Sequence, residues 1–355
     1  MPSVAVHNLS RMTLVFWILT FSTSVPNEGS ELFGGKDTSD QLRTRTFQLT
    51  LQATIGEAPI GTKRLEVWIP YPKSDENQEI FDIQVDGPAR ATVYTEPVYE
   101  NSILHLSIDN LQSPPFHIQL KFKVQRREYL RRDFHQTEGD GPLSWDPEVA
   151  KFLMPERLVP ITDEIRKWAQ EVTNGKSTDQ EKARAIYDYA ISILKYDKSG
   201  QGWGRGDLLY ACDEKRGNCT DFHALFTGFC RAVGIPARFS IGLPLPSKRG
   251  QGKIPGYHCW AEFYLRGYGW VPVDASEAWK HLEKRDYFFG GHDENRVQFS
   301  VGRDIVLRPR QQGSPLNYFV YPYVEADGKP IQDSVDYKFR FKDILNTTGL
   351  QSSGD

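Results

Sequence analysis

Cys219, His258 and Asp274 follow one another in a single stretch of the chain. Their types suit a thiol nucleophile, its general base and the carboxylate that orients the base. Cys219 comes directly after Gly217-Asn218, where a turn sequence gives way to an apolar-periodic segment. A thiol at a helix N-terminus is favoured as thiolate, because unpaired backbone N–H groups and the helix dipole stabilise negative charge there. The pattern therefore predicts a reactive cysteine.

The flanking sequence indicates the elements that must position these side chains. Residues 220–233 carry apolar side chains at helical spacing, with glycine and proline just beyond, and predict a helix. Residues 257–265 predict a strand that His258 opens, and residues 270–274 predict a return strand with Asp274 at its far end. One β-hairpin would then carry both the base and the carboxylate.

This hairpin is subject to a geometric requirement, because side chains alternate across a strand and His258 and Asp274 must share a face to touch. A two-residue turn at Gly267-Tyr268 would pair His258 with Glu277 and place Asp274 on the opposite face. We therefore expect an odd-length loop or a β-bulge in the hairpin.

The order of these motifs resembles the transglutaminase-like superfamily, with a cysteine at a helix start, a histidine in a His-x-Trp-Ala-Glu strand and an aspartate after Gly-Trp-Val-Pro-Val. The resemblance covers residues 178–280 and implies an α+β fold with a papain-like core, in which the nucleophile helix packs on an antiparallel sheet. Carried over, it implies Cys219 as nucleophile, His258 as general base and acid, and Asp274 as orienting carboxylate. Cys259 departs from the family, where alanine is commoner after the histidine.

Such a triad implies acyl transfer. The thiolate attacks an amide carbonyl, the imidazolium protonates the leaving amine, and a thioester acyl-enzyme remains. Attack by water would make the protein a cysteine protease or amidase, and attack by an amine a transglutaminase; the residues leave this choice open. Bacterial members of the superfamily are mostly regarded as proteases or amidases, so the resemblance favours hydrolysis of peptide or isopeptide bonds. A non-catalytic peptide-binding module on the same fold is the alternative from another class, and the intact triad argues against it.

The oxyanion formed on attack needs donors, and the backbone N–H of Cys219 is the natural first one because it lies at the helix start. Trp203 and Trp260 are further candidates for oxyanion or substrate contact. Animal transglutaminases use an upstream tryptophan in this way, although the spacing of Trp203 differs. Residues 200–207 are rich in glycine but lack the Lys-Ser/Thr of a phosphate-binding loop, so we expect a loop at the cleft rather than a nucleotide site.

The other cysteines, Cys212, Cys230 and Cys259, are expected in the core, and a disulfide among them is left open. Together with the nucleophile, His223, His258 and Cys259 could be drawn as a zinc site. Neighbours in a strand point to opposite faces, however, so His258 and Cys259 cannot easily bind one ion. The sequence therefore predicts no metal and no cofactor, and His223 is expected to pack beside the nucleophile.

Residues 12–21 form an apolar run of about ten residues that follows Arg11 and precedes three small residues, which predicts a signal peptide over residues 1–24. We expect export to the periplasm or the extracellular space; an uncleaved segment that anchors the protein to a membrane is the alternative. No other segment is apolar enough to span a membrane. The net charge of −3 gives no reason to expect nucleic acid, so the expected partner is a protein or peptide substrate.

With 355 residues, of which 39% are hydrophobic, the chain is long enough for two or three globular domains. Short runs that alternate apolar and polar residues predict an all-β sandwich-like domain over residues 46–130. Linkers are expected at 25–45 and 131–160. The catalytic domain is expected at 161–285, with leading helices at 162–173 and 178–195, the second opened by a Thr178–Glu181 capping box. Residues 286–355 predict a β-rich extension that lengthens the sheet or caps the cleft.

Overall fold

Strands make up most of the regular structure in the computed structural model, which describes residues 42–109, 111, 114–132, 134 and 144–344. In chain order the strands are β1 (Thr44–Ile55), β2 (Arg64–Pro70), β3 (Gln78–Asp86), β4 (Ala91–Thr95), β5 (Ser102–Asp109), β6 (Phe116–Arg127), β7 (Tyr129–Leu130), β8 (Lys195–Tyr196), β9 (Arg216–Gly217), β10 (Ala237–Pro244), β11 (Gln251–Ile254), β12 (His258–Leu265), β13 (Gly269–Val273), β14 (Gly291–His292), β15 (Arg296–Val301), β16 (Tyr323–Ala326), β17 (Lys329–Pro330) and β18 (Val335–Asp343). The α-helices are α1 (Pro147–Ala150), α2 (Asp163–Val172), α3 (Asp179–Ile193), α4 (Leu208–Glu214), α5 (Cys219–Ala232) and α6 (Ala275–Lys280).

Two five-stranded antiparallel sheets form a β-sandwich, in the orders β11-β18-β1-β6-β3 and β17-β16-β2-β5-β4. The strict alternation of β1 explains its place, since Phe47, Leu49 and Leu51 are at most 1% exposed while the residues between them face outward. The buried side chains of β1 and β6 pack with those of β2 and β5 in one apolar cluster. Each fully buried side chain of this size contributes about 1.5–3 kcal/mol to stability.

The sandwich extends beyond residues 46–130, to which the sequence assigned it. β18 pairs with β1 and β16 pairs with β2, so strands from the C-terminal extension complete both sheets. β11, from within the expected catalytic segment, pairs with the other edge of β18. Another strand of the C-terminal region, β15, lies beside β10.

The helices begin at the caps that the sequence indicates. The Thr162 side chain accepts from the backbone of α2, and Thr178 and Glu181 form the predicted capping box of α3. Asn218 and Asp221 form a second capping box at the start of α5. Every residue of α5 is buried, because α2, α3, α4 and α6 pack around it and its remaining side contacts β10 and β12.

A four-stranded antiparallel sheet, β13-β12-β10-β15, carries the predicted hairpin. Leu265 pairs with Gly269 and Ala261 pairs with Val273, which leaves three residues in the loop. This odd-length loop confirms the expectation from side-chain alternation, because it brings the residue after β13 onto the face that carries His258. The fold is therefore α+β, as predicted, with a helix-packed sheet next to a sandwich.

The predicted signal peptide lies outside the described residues, as does most of the first expected linker. Within the described ranges, no helix has both the length and the apolar composition needed to cross a membrane. The described part of the second linker contains α1 and a short 3-10 turn at Lys151–Leu153 that packs near the catalytic sheet.

Candidate active site

Cys219 is the first residue of α5 and is 2% exposed. The cap that fixes this helix start is polar and local. The Asn218 side chain accepts a 2.9 Å hydrogen bond from the backbone N–H of Thr220, and Asp221 accepts one of 2.9 Å from the N–H of Asn218. The sulfur therefore lies at the positive end of a buried helix, where the dipole acts with little solvent screening.

His258 and Asp274 meet as the hairpin register requires. Nε2 of His258 lies 2.7 Å from Oδ2 of Asp274, and both side chains are buried. Asp274 caps α6, since its Oδ1 accepts from Ser276 Oγ at 3.1 Å and from the N–H of Glu277 at 3.0 Å. Nη1 of Arg296 lies 3.1 Å from Oδ2 of Asp274. With Nε2 engaged by the carboxylate, Nδ1 is the imidazole nitrogen left for the hydrogen bond between His258 and Cys219.

The charges of this cluster stabilise one another. Burial raises the pKa of the Cys219 thiol, but hydrogen bonds from Cys259 and His258 outweigh it and hold that pKa well below its ordinary value. Burial alone would lower the pKa of His258, yet Asp274 and Cys219 raise it to about 10. Burial alone would raise the pKa of Asp274, but His258 and Arg296 hold it well below its usual range. These directions favour a thiolate–imidazolium pair of Cys219 and His258.

His223 and Cys259 belong to this cluster more closely than the sequence indicated. The N–H of Ala275 donates to His223 Nε2 at 3.2 Å, so the ring proton of the neutral imidazole is on Nδ1, which lies 3.6 Å from Cys259 Sγ. Burial lowers the pKa of His223 and raises that of Cys259 well above its ordinary value, so both stay uncharged. Cys259 was expected only as a core residue, yet its thiol hydrogen-bonds Cys219.

The two candidate tryptophans lie in different surroundings. Trp260 is 1% exposed, and its ring lies 6.2 Å from that of His258 and 4.9 Å from the guanidinium of Arg296. It therefore packs against the imidazole within the interior. Trp203 is half-buried, with Nζ of Lys198 5.8 Å from its ring, in the glycine-rich loop before α4. Direct contact of either residue with a substrate stays a prediction.

The glycine-rich loop at residues 200–206 is held against the start of α5. Asp221 accepts from the N–H groups of Gly204 at 2.7 Å and Gly206 at 3.0 Å. Arg303 donates to the carbonyl of Gly206 at 2.6 Å, and Tyr257 donates to that of Gly204 at 3.4 Å. These bonds fix the loop beside the nucleophile, which agrees with the expected loop at the cleft.

Several of these supporting residues were missed in the sequence. Asp221 could have been found, since Asn218 and Asp221 have the spacing of a capping box. Arg296 and Arg303 could not, because nothing in their local sequence shows which carboxylate or carbonyl they approach after folding. In the described part of the chain the four cysteines are free and buried, and no group of three or more His, Cys, Asp or Glu residues could hold a metal ion.

Comparison with known proteins bears on this region and on the fold. Residues 166–275, which include Cys219, His258 and Asp274, match the sequence model of the transglutaminase-like superfamily, so the resemblance stated from the motifs is confirmed there. An uncharacterized protein of Haemophilus influenzae is 25% identical over 84% of this chain and 89% of its own length. The crystal structure of a "putative cysteine protease" from Cytophaga hutchinsonii, 17% identical, has a TM-score of 0.59 and covers 86% of this chain and 92% of its own. The two proteins share the fold.

Proposed function

We propose that this protein is a thiol-dependent acyl-transfer enzyme that hydrolyses peptide or isopeptide amide bonds through Cys219, His258 and Asp274. The observation that carries the proposal is the buried hydrogen-bonded series from Asp274 through His258 to Cys219 at the first residue of α5. The match of residues 166–275 to the transglutaminase-like superfamily supports it.

In the proposed reaction, the Cys219 thiolate attacks the carbonyl carbon of the scissile amide, and the new oxyanion accepts from the backbone N–H of Cys219. The imidazolium of His258 then gives its proton to the leaving amine, and the C–N bond breaks to leave a thioester. Neutral His258 next removes a proton from water, whose oxygen attacks the thioester and releases a carboxylic acid and the thiolate. Asp274, held by Arg296 and the cap of α6, orients the ring and stabilises its charge throughout.

Activity on amide substrates tests this proposal. With a library of internally quenched peptides and isopeptides as probe, we expect cleavage by the wild-type protein and its loss in Cys219→Ala. His258→Ala should lose about 10²–10⁴-fold in kcat/KM. Cys230→Ala, which removes a buried cysteine of the same helix, is the matched control and should retain cleavage. Unchanged cleavage in Cys219→Ala would exclude the thiol mechanism.

Adding a fluorescent primary amine to the same reaction tests whether water or an amine accepts the acyl group from the thioester. Hydrolysis predicts free carboxylic acid as the main product even at millimolar amine, whereas transamidation predicts stable labelling of the acyl donor. Saturable peptide binding by wild type and Cys219→Ala alike, without product, would instead support the non-catalytic binding module.

The site of action proposed from the N-terminal sequence is outside the cytoplasm, in the periplasm or the extracellular space, with a protein or peptide as substrate. Fractionation of cells that express the full chain, with N-terminal sequencing of the mature protein, tests this. Cleavage near residue 24 would establish the signal peptide, and retention of the intact N-terminus in the membrane fraction would establish the anchored alternative.

A further inference from the structure

A cavity of about 570 Å³ lies between the sandwich and the catalytic sheet, lined by residues of β3 and β6 on one side and of β10, β12, β13 and β15 on the other. Cys219, His258 and Asp274 do not line it. Glu262 on β12 also lines the cavity, and it lies two residues after the buried Trp260 on that strand. Its size is that of a small-molecule site.

Arg126 is a buried cation that lines this cavity, and the carboxylates of Asp75 and Glu262 attract it without an ion-pair contact among the described residues. The residue is 2% exposed, and its hydrogen bond from Nη1 to Gln78 Oε1 is long at 3.5 Å. Its Nε has no partner, and no described carboxylate forms an ion pair with it. On the neighbouring strand the residue opposite is Arg45, another cation. Burying an unpaired charge costs several kcal/mol, so this side chain requires an acceptor.

Each of the other arginines that line the cavity has an ion-pair partner, although Nε of Arg131 and Nε of Arg238 have no hydrogen bond within the described part of the chain, and Lys73 donates to the carbonyl of Glu100. Arg238 pairs with Glu262 at 2.7 Å and lies over the ring of Trp270 at 4.2 Å. Arg131 pairs with Glu76 at 3.2 Å, and Lys151 pairs with Glu148. Asp75, whose pKa burial raises, is a lining carboxylate without an ion pair among the described residues. Arg126 is thus the buried cation of the cavity without an ion pair among the described residues, and Asp75 is the lining carboxylate that attracts it most.

We propose that this cavity binds a small zwitterion, an amino acid or a short peptide, whose carboxylate pairs with the guanidinium of Arg126 and whose ammonium group faces Asp75. A carboxylate matches the planar fork of an arginine and can take two parallel N–H bonds. A dianion such as phosphate fits less well, since the acidic lining residues repel a second negative charge. The aromatic walls, which include Tyr99, Phe152 and Trp270, suit an apolar side chain on the ligand.

Calorimetric titration of the full chain in the Cys219→Ala background, which prevents turnover of a probe, tests the proposal. We expect saturable binding of L-phenylalanine, and at least about tenfold weaker binding of L-phenylalaninamide and of acetate, because each lacks one charge of the zwitterion. Arg126→Met should weaken L-phenylalanine binding at least about tenfold. Arg64→Met, which removes a cation that pairs with Asp109 and does not line this cavity, is the matched control and should bind like the parent.

Arg126→Lys keeps the positive charge but lacks the planar guanidinium, so it should also bind L-phenylalanine more weakly. This variant replaces Arg126→Met in the experiment if the Met variant fails to fold. Equal affinity of the parent and the Arg126 variants for L-phenylalanine would overturn the proposal. Absence of saturable heat with L-phenylalanine would do the same, as would tighter binding of inorganic phosphate than of L-phenylalanine. None of these outcomes depends on the catalytic proposal, since the parent lacks the nucleophile.

Discussion

The reactivity of Cys219 is set by its neighbours rather than by exposure. A thiol that is 2% exposed would ordinarily be inert, because burial favours its neutral form. Here the helix start, the imidazolium of His258 and the thiol of Cys259 all stabilise the anion. The contributions of His258 and Cys259 can each be removed by one substitution.

His258→Ala should shift the pH dependence of Cys219 alkylation. The wild-type thiol is expected to react with iodoacetamide well below pH 7, because its pKa is held below the ordinary value. Without the imidazolium the pKa of Cys219 rises, so the rate at pH 6 should fall at least about tenfold. Rates for each protein from pH 4 to 10 give the two pKa values. Identical profiles would contradict the thiolate–imidazolium pair.

Cys259→Ala should raise the pKa of Cys219 in its own right. A hydrogen bond to a charged group is worth about 1.5–3 kcal/mol, which corresponds to a rise of about one to two pKa units. Thiolate absorbance near 240 nm, followed across pH, measures the shift. Cys259→Ser retains a donor and should recover part of it, and Cys230→Ala should leave the pKa of Cys219 unchanged. An unaltered pKa in Cys259→Ala would show that its thiol does not stabilise the anion.

At this scale the sequence indicated the candidate trio but not the residues that support it. Cys219, His258 and Asp274 each lie in a local motif, so residue type and spacing were enough to select them. Arg296 contacts Asp274 across 22 positions of sequence, and Cys259 reaches Cys219 because the strand start lies over the helix start. Such contacts depend on tertiary packing, which no local pattern contains.

At the scale of elements, the site depends on how β10 holds both neighbouring strands. β10 pairs with β12, which starts at His258, and with β15, which starts at Arg296. The pairing with β15 shifts register between Ile241 and Gly242, and a Cβ on Gly242 would overlap the backbone carbonyl oxygen of Val297. The absence of a side chain at Gly242 thus allows the close approach of β10 to β15, the strand that begins at Arg296.

Gly242→Ala should separate β15 from β10 and destabilise the protein by about 1–3 kcal/mol, the usual cost of overpacking. The same displacement would move Arg296 from Asp274, so amide cleavage should fall as well. Urea unfolding followed by far-UV circular dichroism measures the first effect. Gly256→Ala, where an added Cβ meets only Tyr321 at 3.9 Å, is the control and should change stability by less than about 0.5 kcal/mol. Equal stability of the two variants would contradict the close approach at Gly242.

The helices and the hairpin were predictable because their determinants are local. The Thr178–Glu181 capping box and the apolar periodicity of residues 220–233 fix α3 and α5, and side-chain alternation alone required the three-residue loop between β12 and β13. β11 has no local strand signal, because its four residues, which include Gly, Lys and Gln, become a strand only beside β18. Strands at a sheet edge depend on their partners more than on their own residues.

For the whole molecule, the C-terminal strands matter most, since β16 and β18 belong to the two sandwich sheets and β15 belongs to the four-stranded sheet. β18 lies between β1 and β11, and β16 lies between β2 and β17. The sequence indicated strands in residues 286–355 but not their partners, because pairing over nearly the length of the chain leaves no local signal. Such non-local pairing implies that the described sheets unfold together.

Substitution of Arg45 tests whether the sheets unfold together, because this residue connects β1 to three distant segments. Its guanidinium donates to both carboxylate oxygens of Asp343 at 2.8 and 2.9 Å, and to Asn295 and the Pro246 carbonyl at 2.7 Å each. Arg45→Met would leave Asp343 buried without its counter-ion and should cost about 3–5 kcal/mol. Arg64→Met, which breaks a pair whose side chains are 56% and 57% exposed, should cost at most about 1 kcal/mol.

Unfolding of the Arg45 and Arg64 variants in urea should be followed by tryptophan fluorescence and by far-UV circular dichroism. If the sandwich and the catalytic sheet form one cooperative unit, the two signals coincide and Arg45→Met lowers both midpoints together. Two separated transitions, with only one moved by Arg45→Met, would show instead that the strands contributed by the C-terminal region join the sheets without coupling their stability. In that case amide cleavage would survive urea concentrations that unfold the sandwich, because α5 and the β12–β13 hairpin would keep Cys219, His258 and Asp274 together.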